Sequence, residues 1–208
     1  MLFETWEPLY QSILEDFGFS RRRDEEAADL LRELLQGRDS PLSAAGELLA
    51  GRRAIVCGNA PCLARELERS QADDAVFLAA DGATVALLEG GILPAIVVTD
   101  LDGPFPAILE ANQMGSLVVV HAHGDNLEAL KRYVPLLDRV LGTVQCRPPE
   151  GLYNFGGFTD GDRAVFLARE MGAASIDLLG FDFEDQSVTP RKKKKLAWAR
   201  KLIGLALS

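Results

Sequence analysis

The sequence predicts an α/β fold: a mostly parallel, Rossmann-like sheet with helices on both faces, preceded by a helical prefix. Two observations carry this. From residue 52 onward, apolar runs of strand length alternate with helical patterns, and such alternation sets the strands parallel and joins them by right-handed helical crossovers. Several of those runs also end in acid- and glycine-rich turns, at the carboxyl edge where an open α/β sheet gathers its ligands.

The elements follow in order. Trp6, Leu9, Tyr10, Ile13, Leu14 and Phe17 recur at helical spacing with Gly18 as a stop, and residues 24–35 repeat the pattern up to Gly37. Ser40-Pro41 then reads as an N-cap with proline at the first helical position, opening a third helix that closes at Gly51. This prefix, residues 1–50, is expected to pack on the core as a helical segment, either capping the sheet or meeting a second copy. An α/β domain over 51–208 should hold the candidate chemistry. It begins with a strand at 53–57 and a helix at 63–69. Strands follow at 75–80, 97–99, 116–120 and 176–179, with a weaker one at 141–144. Residues 160–171 read as a helix after a loop opening at Pro148. The basic run Arg191 to Lys195 precedes a terminal helix marked by Leu196, Trp198, Leu202 and Ile203.

Composition excludes several classes. With 208 residues, 48% hydrophobic and 25% charged, the chain suits one soluble core, which at this size buries roughly 70% of the unfolded surface. No apolar run reaches the ~20 residues of a membrane span, and the start lacks the basic region of a signal peptide. A cytoplasmic location is expected. Cys57, Cys62 and Cys146 are odd in number and form no CxxC pair, which argues against a disulfide framework or a zinc knuckle. A net charge of −9 disfavours nucleic-acid binding and suits cations. No nucleic acid or membrane partner is expected, and a homo-oligomer remains open.

The strand ends carry the candidate chemistry. Asp100 and Asp102, two apart in DLDG, can aim both carboxylates at one Mg²⁺, and Asp81 ends the neighbouring apolar run with a third. Gly58-Asn59-Ala60-Pro61 lies between the first strand and its helix, where backbone N–H groups and the helix dipole favour phosphate; a tight turn needing Gly58 and Pro61 is the plainer reading. The HxHxD pattern of residues 121–125 resembles metal-hydrolase sites. Only two histidines exist in the chain, so the segment reads as a polar loop on the substrate side. In residues 156–163 Thr159 or Asp160 can cap the next helix, and Arg163 can face phosphate or pair with an acid.

Taken together, GNAPCL (58–63), AADGAT (79–84), GILPAIVVTDLDG (91–103), HAHGDN (121–126), GFTDGDRA (157–164) and GFDF (180–183) resemble the archaeal 6-hydroxymethyl-7,8-dihydropterin pyrophosphokinase family across essentially the whole chain. The middle portion is also similar to the catalytic domain of thiamin pyrophosphokinases, which implies a shared fold. The resemblance implies Mg-dependent transfer of diphosphate from ATP to the hydroxymethyl oxygen of a pterin, with release of AMP, in methanopterin- or folate-type biosynthesis. It implies that Asp100, Asp102 and Asp81 are both metal ligands and catalytic groups, and that Gly58, Asn59, Ala60, Pro61, Gly82 and Arg163 hold ATP. For the pterin it offers His123, Asp125, Asn126 and Asn154 on one side of the chain, and Phe158, Thr159, Asp160 and Asp182 further on. Cys62 departs from the serine expected in the first turn. Three rivals stand beside this reading: a thiamin pyrophosphokinase, a haloacid-dehalogenase-type phosphatase using Asp100 as nucleophile and Asp102 as acid, and a non-catalytic nucleotide-binding module.

Overall fold

The computed structural model describes residues 2–70 and 74–208. Helices α1 (Phe3–Phe17), α2 (Arg21–Leu34) and α3 (Leu42–Leu49) form the prefix. Gly18 stops α1 as expected, at φ +68° with its N–H returned to the Leu14 carbonyl. Helix α2 starts earlier than its apolar pattern, because the Ser20 hydroxyl accepts the Arg23 N–H and supplies a cap. The expected Ser40 cap of α3 is corrected. Pro41 itself occupies the N-cap position, and the Ser40 hydroxyl is 3.1 Å from that of Tyr153.

Six strands, β1 (Arg53–Cys57), β2 (Val76–Ala80), β3 (Ile96–Thr99), β4 (Leu117–Ala122), β5 (Val140–Val144) and β6 (Ser175–Leu179), pair in parallel in the order β5-β4-β3-β2-β1-β6. Between them lie α4 (Leu63–Arg69), α5 (Ala83–Glu89), α6 (Phe105–Gln113), α7 (Leu127–Tyr133) and α8 (Asp160–Glu170), with α9 (Pro190–Leu207) last. The chain steps outward from β1 to β5 and then returns past β1 to β6. The strand order therefore reverses between β1 and β6, which opens a crevice at their carboxyl ends.

Both faces of the sheet are covered. His121 and Thr143 are register partners whose side chains face Arg163 and Leu167 of α8 across a small cavity. Their neighbours Val120 and Gly142 are also register partners and face the other way. A Cβ at Gly142 would come within 2.8 Å of Leu35 and 3.2 Å of Leu31 of α2, so glycine is what lets the prefix seat closely on β5. Trp6, Tyr10, Ile13 and Leu31 are buried in the same core as the strands.

Two local differences from the sequence reading bear on the site. Strand β4 runs to Ala122, two residues beyond its apolar stretch, and draws His121 into the interior, 2% exposed. The basic run lies inside α9 and not before it, because Thr189 caps the Lys192 N–H and Pro190 opens the helix. Helix α9 packs along α8 and is tied to α1 by the Trp198 indole N–H, which donates to Asp16 at 2.7 Å. Among the described residues no helix is long and apolar enough to cross a membrane.

Candidate active site

Three carboxylates meet at the carboxyl ends of β2 and β3. Asp81, Asp100 and Asp102 offer oxygens that all lie within 4.8 Å of one another. The backbone is bent to achieve this: Asp81 and Leu101 adopt φ +43° and +68°, a region that residues other than glycine enter only when their surroundings hold them. Thr99 supplies the hold. Its hydroxyl donates to Asp81 Oδ1 at 2.6 Å and accepts the Leu101 N–H at 2.8 Å. A Cβ at Gly103 would lie 1.8 Å from Asp81 Oδ2, so the glycine leaves room for that carboxylate.

Asp100 is held from two sides. Its Oδ1 accepts the Asp102 N–H at 3.2 Å, and its Oδ2 lies 3.2 Å from His123 Nε2. His123 Nδ1 accepts the Asp125 N–H, which leaves the proton of a neutral ring on Nε2, directed at Asp100. Burial alone would raise the Asp100 carboxyl. The hydrogen bond from His123, together with the Asp102 contact and Arg163, holds it well below the ordinary range instead. The neighbouring acids go the other way. Burial and the charge of Asp100 push Asp102 up to about 6. Burial raises Asp81, with Thr99 opposing and Asp100 reinforcing, and burial followed by the charge of Asp100 raises Asp160 well above its usual value.

A cluster of oxygen donors that repel one another fits a hard divalent cation, and Mg²⁺ takes one or two carboxylates with phosphate oxygens. The expectation can be measured in the metal-free protein. Asp81, Asp102 and Asp160 bind protons more tightly when folded, so their ionisation costs stability increasingly as pH rises through about 6. Asp100 has the opposite sign, and its contribution is lost only under strongly acidic conditions, below this window. His121 is kept neutral first by burial and then by Arg163, which costs stability as pH falls below its unfolded value and offsets the acids. The informative quantity is therefore the increment in Tm on adding Mg²⁺. It should be several degrees at about pH 7.5 and small at about pH 5, where protons compete for the same oxygens. Equal increments at both values would separate these acids from cation binding.

Two chambers adjoin the cluster. The larger, about 440 Å³, lies at the β1/β6 crevice between the Gly58–Pro61 turn, Gly82 and the Phe181–Phe183 segment, with Asp102, Asp160 and Lys192 facing it. The smaller, about 180 Å³, lies on the β4/β5 side. Asp100, Phe158, Arg163 and Lys195 line both. Arg163 is the notable member. Its side chain is 8% exposed, yet its Nη1 lies 3.6 Å from Asp160 Oδ1 and its Nη2 3.4 Å from Gln145 Oε1, both long for a buried guanidinium.

The strand-end groups named from the sequence divide by role. The Gly58 and Ala60 N–H groups donate to the Leu179 and Gly180 carbonyls, so these two of the turn's N–H groups are paired within the protein. The turn is a chamber wall in which Gly58 and Gly180 approach backbone to backbone, a Cβ at Gly58 falling 2.6 Å from the Gly180 oxygen. Cys62 faces the surface beside Pro61, Arg65 and Asp182. The Asn126 and Asn154 side chains are engaged by the protein's own backbone. The Asn126 amide joins His123 N–H to the Asp100 and His121 carbonyls, and the Asn154 amide spans the Gln145 and Cys146 carbonyls and the Gly156 N–H. Thr159 caps α8 in a capping box closed by Asp162, whose oxygens accept the Phe158 and Thr159 N–H groups. Asp160 lies beside the acids, and Asp182 lines the larger chamber. His123, Asp125 and Phe158 line the smaller one.

Thr99, and Phe19, Arg23, Asp24 and Gln145 around the smaller chamber, carry no site signal in the sequence. Thr99 stands one residue before the acidic turn and has the signal of a strand residue only. The others meet through contacts as distant in sequence as Asp24 and Gln145, joined at 2.8 Å.

Comparison with known proteins adds three kinds of likeness. Residues 29–187 match the family described as 6-hydroxymethylpterin diphosphokinase MptE-like. The chain is 46% identical to the 6-hydroxymethyl-7,8-dihydropterin pyrophosphokinase of Methanothermobacter thermautotrophicus over 98% of its length and 94% of that protein. It is 45% identical to the protein of the same name from Pyrococcus furiosus, over 98% and 93%, and 38% identical to that of Methanocaldococcus jannaschii, over 98% and 95%. Among solved structures it resembles the MAf glycosyltransferase of Magnetospirillum magneticum AMB-1, with a TM-score of 0.53 at 16% identity over 87% of this chain and 34% of that one. That last likeness is one of fold.

Proposed function

Since the chain belongs to the MptE-like family of 6-hydroxymethylpterin diphosphokinases, we propose that it transfers diphosphate from ATP, with Mg²⁺, to the hydroxymethyl oxygen of 6-hydroxymethyl-7,8-dihydropterin, working in the cytoplasm. The products are AMP and the pterin diphosphate. The observation that carries this reading is the pair of unequal chambers that share Asp100 and Arg163 beside the acid cluster, where the buried arginine has only long polar contacts among the described residues.

The hydroxyl oxygen attacks the β-phosphorus of ATP. The bond from that phosphorus to the α,β-bridging oxygen breaks, AMP leaves with the bridging oxygen, and the hydroxyl proton passes to an ionised carboxylate of the rim. For such a transfer the protein's share is alignment and charge stabilisation. Asp100, kept ionised by His123, and Asp102 and Asp81 present the oxygens that would hold the metal. When bound, Mg²⁺ supplies neutralisation of the phosphate oxygens and helps orient them. Arg163 places its guanidinium where charge develops on the transferring group, and Lys195 adds a second cation at the same opening.

Incubation with ATP and Mg²⁺ should give AMP with hydroxymethyl-dihydropterin as acceptor, and chelation of Mg²⁺ should abolish turnover while some ATP binding persists. Nucleotide chromatography reads the product. Release of ADP, or turnover with thiamin and not the pterin, overturns the assignment. A trapped aspartyl-phosphate would favour the phosphatase reading, and ATP binding without AMP the non-catalytic one.

A further inference from the structure

Resting on the proposed reaction, we infer that the smaller chamber is the acceptor site and that the N-terminal helical segment sets acceptor specificity through Phe19 and Arg23. Size separates the two chambers. At about 180 Å³ the chamber is below the roughly 300–1,000 Å³ usual for drug-sized ligands and suits a flat bicyclic ring, while the larger chamber of about 440 Å³ lies at the strand-order reversal where nucleotides bind in such sheets.

The walls of the smaller chamber match a flat heterocycle in chemistry. Phe158 packs against Phe17 and Phe19 with ring centroids 5.0 Å and 6.3 Å away, and the Arg191 guanidinium lies 5.4 Å from the Phe19 ring centroid, which gives one aromatic side edged by a cation. Opposite in character, Asp125 and Arg23 stand 3.9 Å apart with side chains 55% and 58% exposed. That contact is long enough for each to take a ligand group instead: the carboxylate can accept two N–H bonds from an amino-pyrimidinone edge, and the guanidinium can donate to its carbonyl.

The chamber is also braced from beneath. Asp24, 3% exposed, accepts from Tyr10 Oη at 2.7 Å and from Gln145 Nε2 and the Gly124 N–H, each at 2.8 Å. One buried carboxylate thus fastens α1, α2 and the loops after β4 and β5 together. A Cβ at Gly124 would be 2.5 Å from that of Arg23, so the β4 loop lies directly on α2. Along the sheet edge the nucleotide then sits over β6 and β1, the acids over β2 and β3, and the acceptor over β4 and β5. Transfer runs across the opening that Asp100, Arg163 and Lys195 share.

The test compares kinetic constants and binding in Phe19→Ala, Arg23→Ala and, on the other side, Phe183→Ala. Phe19→Ala should raise the acceptor KM about tenfold, near the worth of one aromatic contact, with the ATP KM within about twofold. Arg23→Ala should move the same constant in the same direction, and it keeps the test alive if Phe19→Ala does not fold. Phe183→Ala should raise the ATP KM and spare the acceptor. Fluorescence titration with oxidised 6-hydroxymethylpterin in the absence of ATP should show the same weakening in the first two variants. Unchanged acceptor constants in both prefix variants, or a raised ATP KM in their place, overturn the chamber assignment and leave the reaction standing. A wild-type protein that forms no AMP with the pterin overturns the reaction and this inference with it.

Discussion

Asp100→Asn should lower turnover at least about a hundredfold, comparable to losing one preorganised electrostatic contact, and Asp102→Asn should do the same. Their effects on stability should differ in sign. Mutual repulsion read from the sequence predicts that neutralising either acid relieves the metal-free protein. For Asp102 the structure agrees, because burial and the charge of Asp100 already push its carboxyl up to about 6; its amide should raise the metal-free Tm at neutral pH. For Asp100 the sign reverses. His123 donates to it and its charge is favoured over the neutral form, so Asp100→Asn forfeits a charge-assisted bond and should lower Tm. Thermal melts with chelator, beside initial rates with Mg²⁺, read both effects. Full activity in both variants would make the DLDG turn a structural feature alone. Equal rises in Tm would mean that His123 does not hold Asp100 as its geometry indicates. Glu110→Gln, on the surface of α6, should leave both quantities nearly unchanged, since exposed helix charges are worth a few tenths of a kcal/mol.

The sheet was legible because β1 to β5 are largely buried and read mostly as apolar runs, while β6, half-exposed at the sheet edge, still shows Ile176, Leu178 and Leu179; each of the six appears in the sequence within two residues of its place. The acid cluster was legible for a related reason: in a parallel sheet the strand ends converge, and Asp81, Asp100 and Asp102 are brought together by topology whatever the details of packing. What the sequence could not show was which polar side chains are already committed. Asn126 and Asn154 have the right chemistry to read a heterocycle edge, but their amides close loops, and the same residue type serves either use. Nor could periodicity show that Asp24 faces inward. On an amphipathic helix with Arg22, Arg23 and Glu25 beside it it reads as another surface charge, and only three donors from distant segments make its burial tolerable. Helix α9 shows the converse. Its basic run is a solvated face in sequence, and capping by Thr189 a turn earlier rotates Lys195 into the site opening.

Arg163→Met should cost about a hundred- to a thousandfold in kcat, the range for removing a preorganised donor from developing charge, with Tm unchanged or higher. The combination follows from what surrounds the guanidinium. A buried ion is costly unless close partners compensate it, and replacement by an apolar side chain of similar length is often neutral or stabilising. Arg163 is 8% exposed, its Nη atoms lie 3.4 Å and 3.6 Å from their protein oxygens, and its Nε is buried without a partner among the described residues. Such an arrangement sacrifices stability to keep a cation available, and an anionic substrate is the partner that completes it. Asp160 should tolerate the loss of the cation, because burial already favours its protonated form. Arg163→Lys separates charge from geometry: it keeps a positive group but not the planar fork, and should recover part of the lost rate. Full activity in Arg163→Met would reduce the residue to packing beneath Gly157, where a Cβ would lie 2.7 Å from the Arg163 Cα. A large drop in Tm with kcat unchanged would likewise assign it to the scaffold, so rates and melts on the same two variants decide whether this buried charge serves the fold or the transfer.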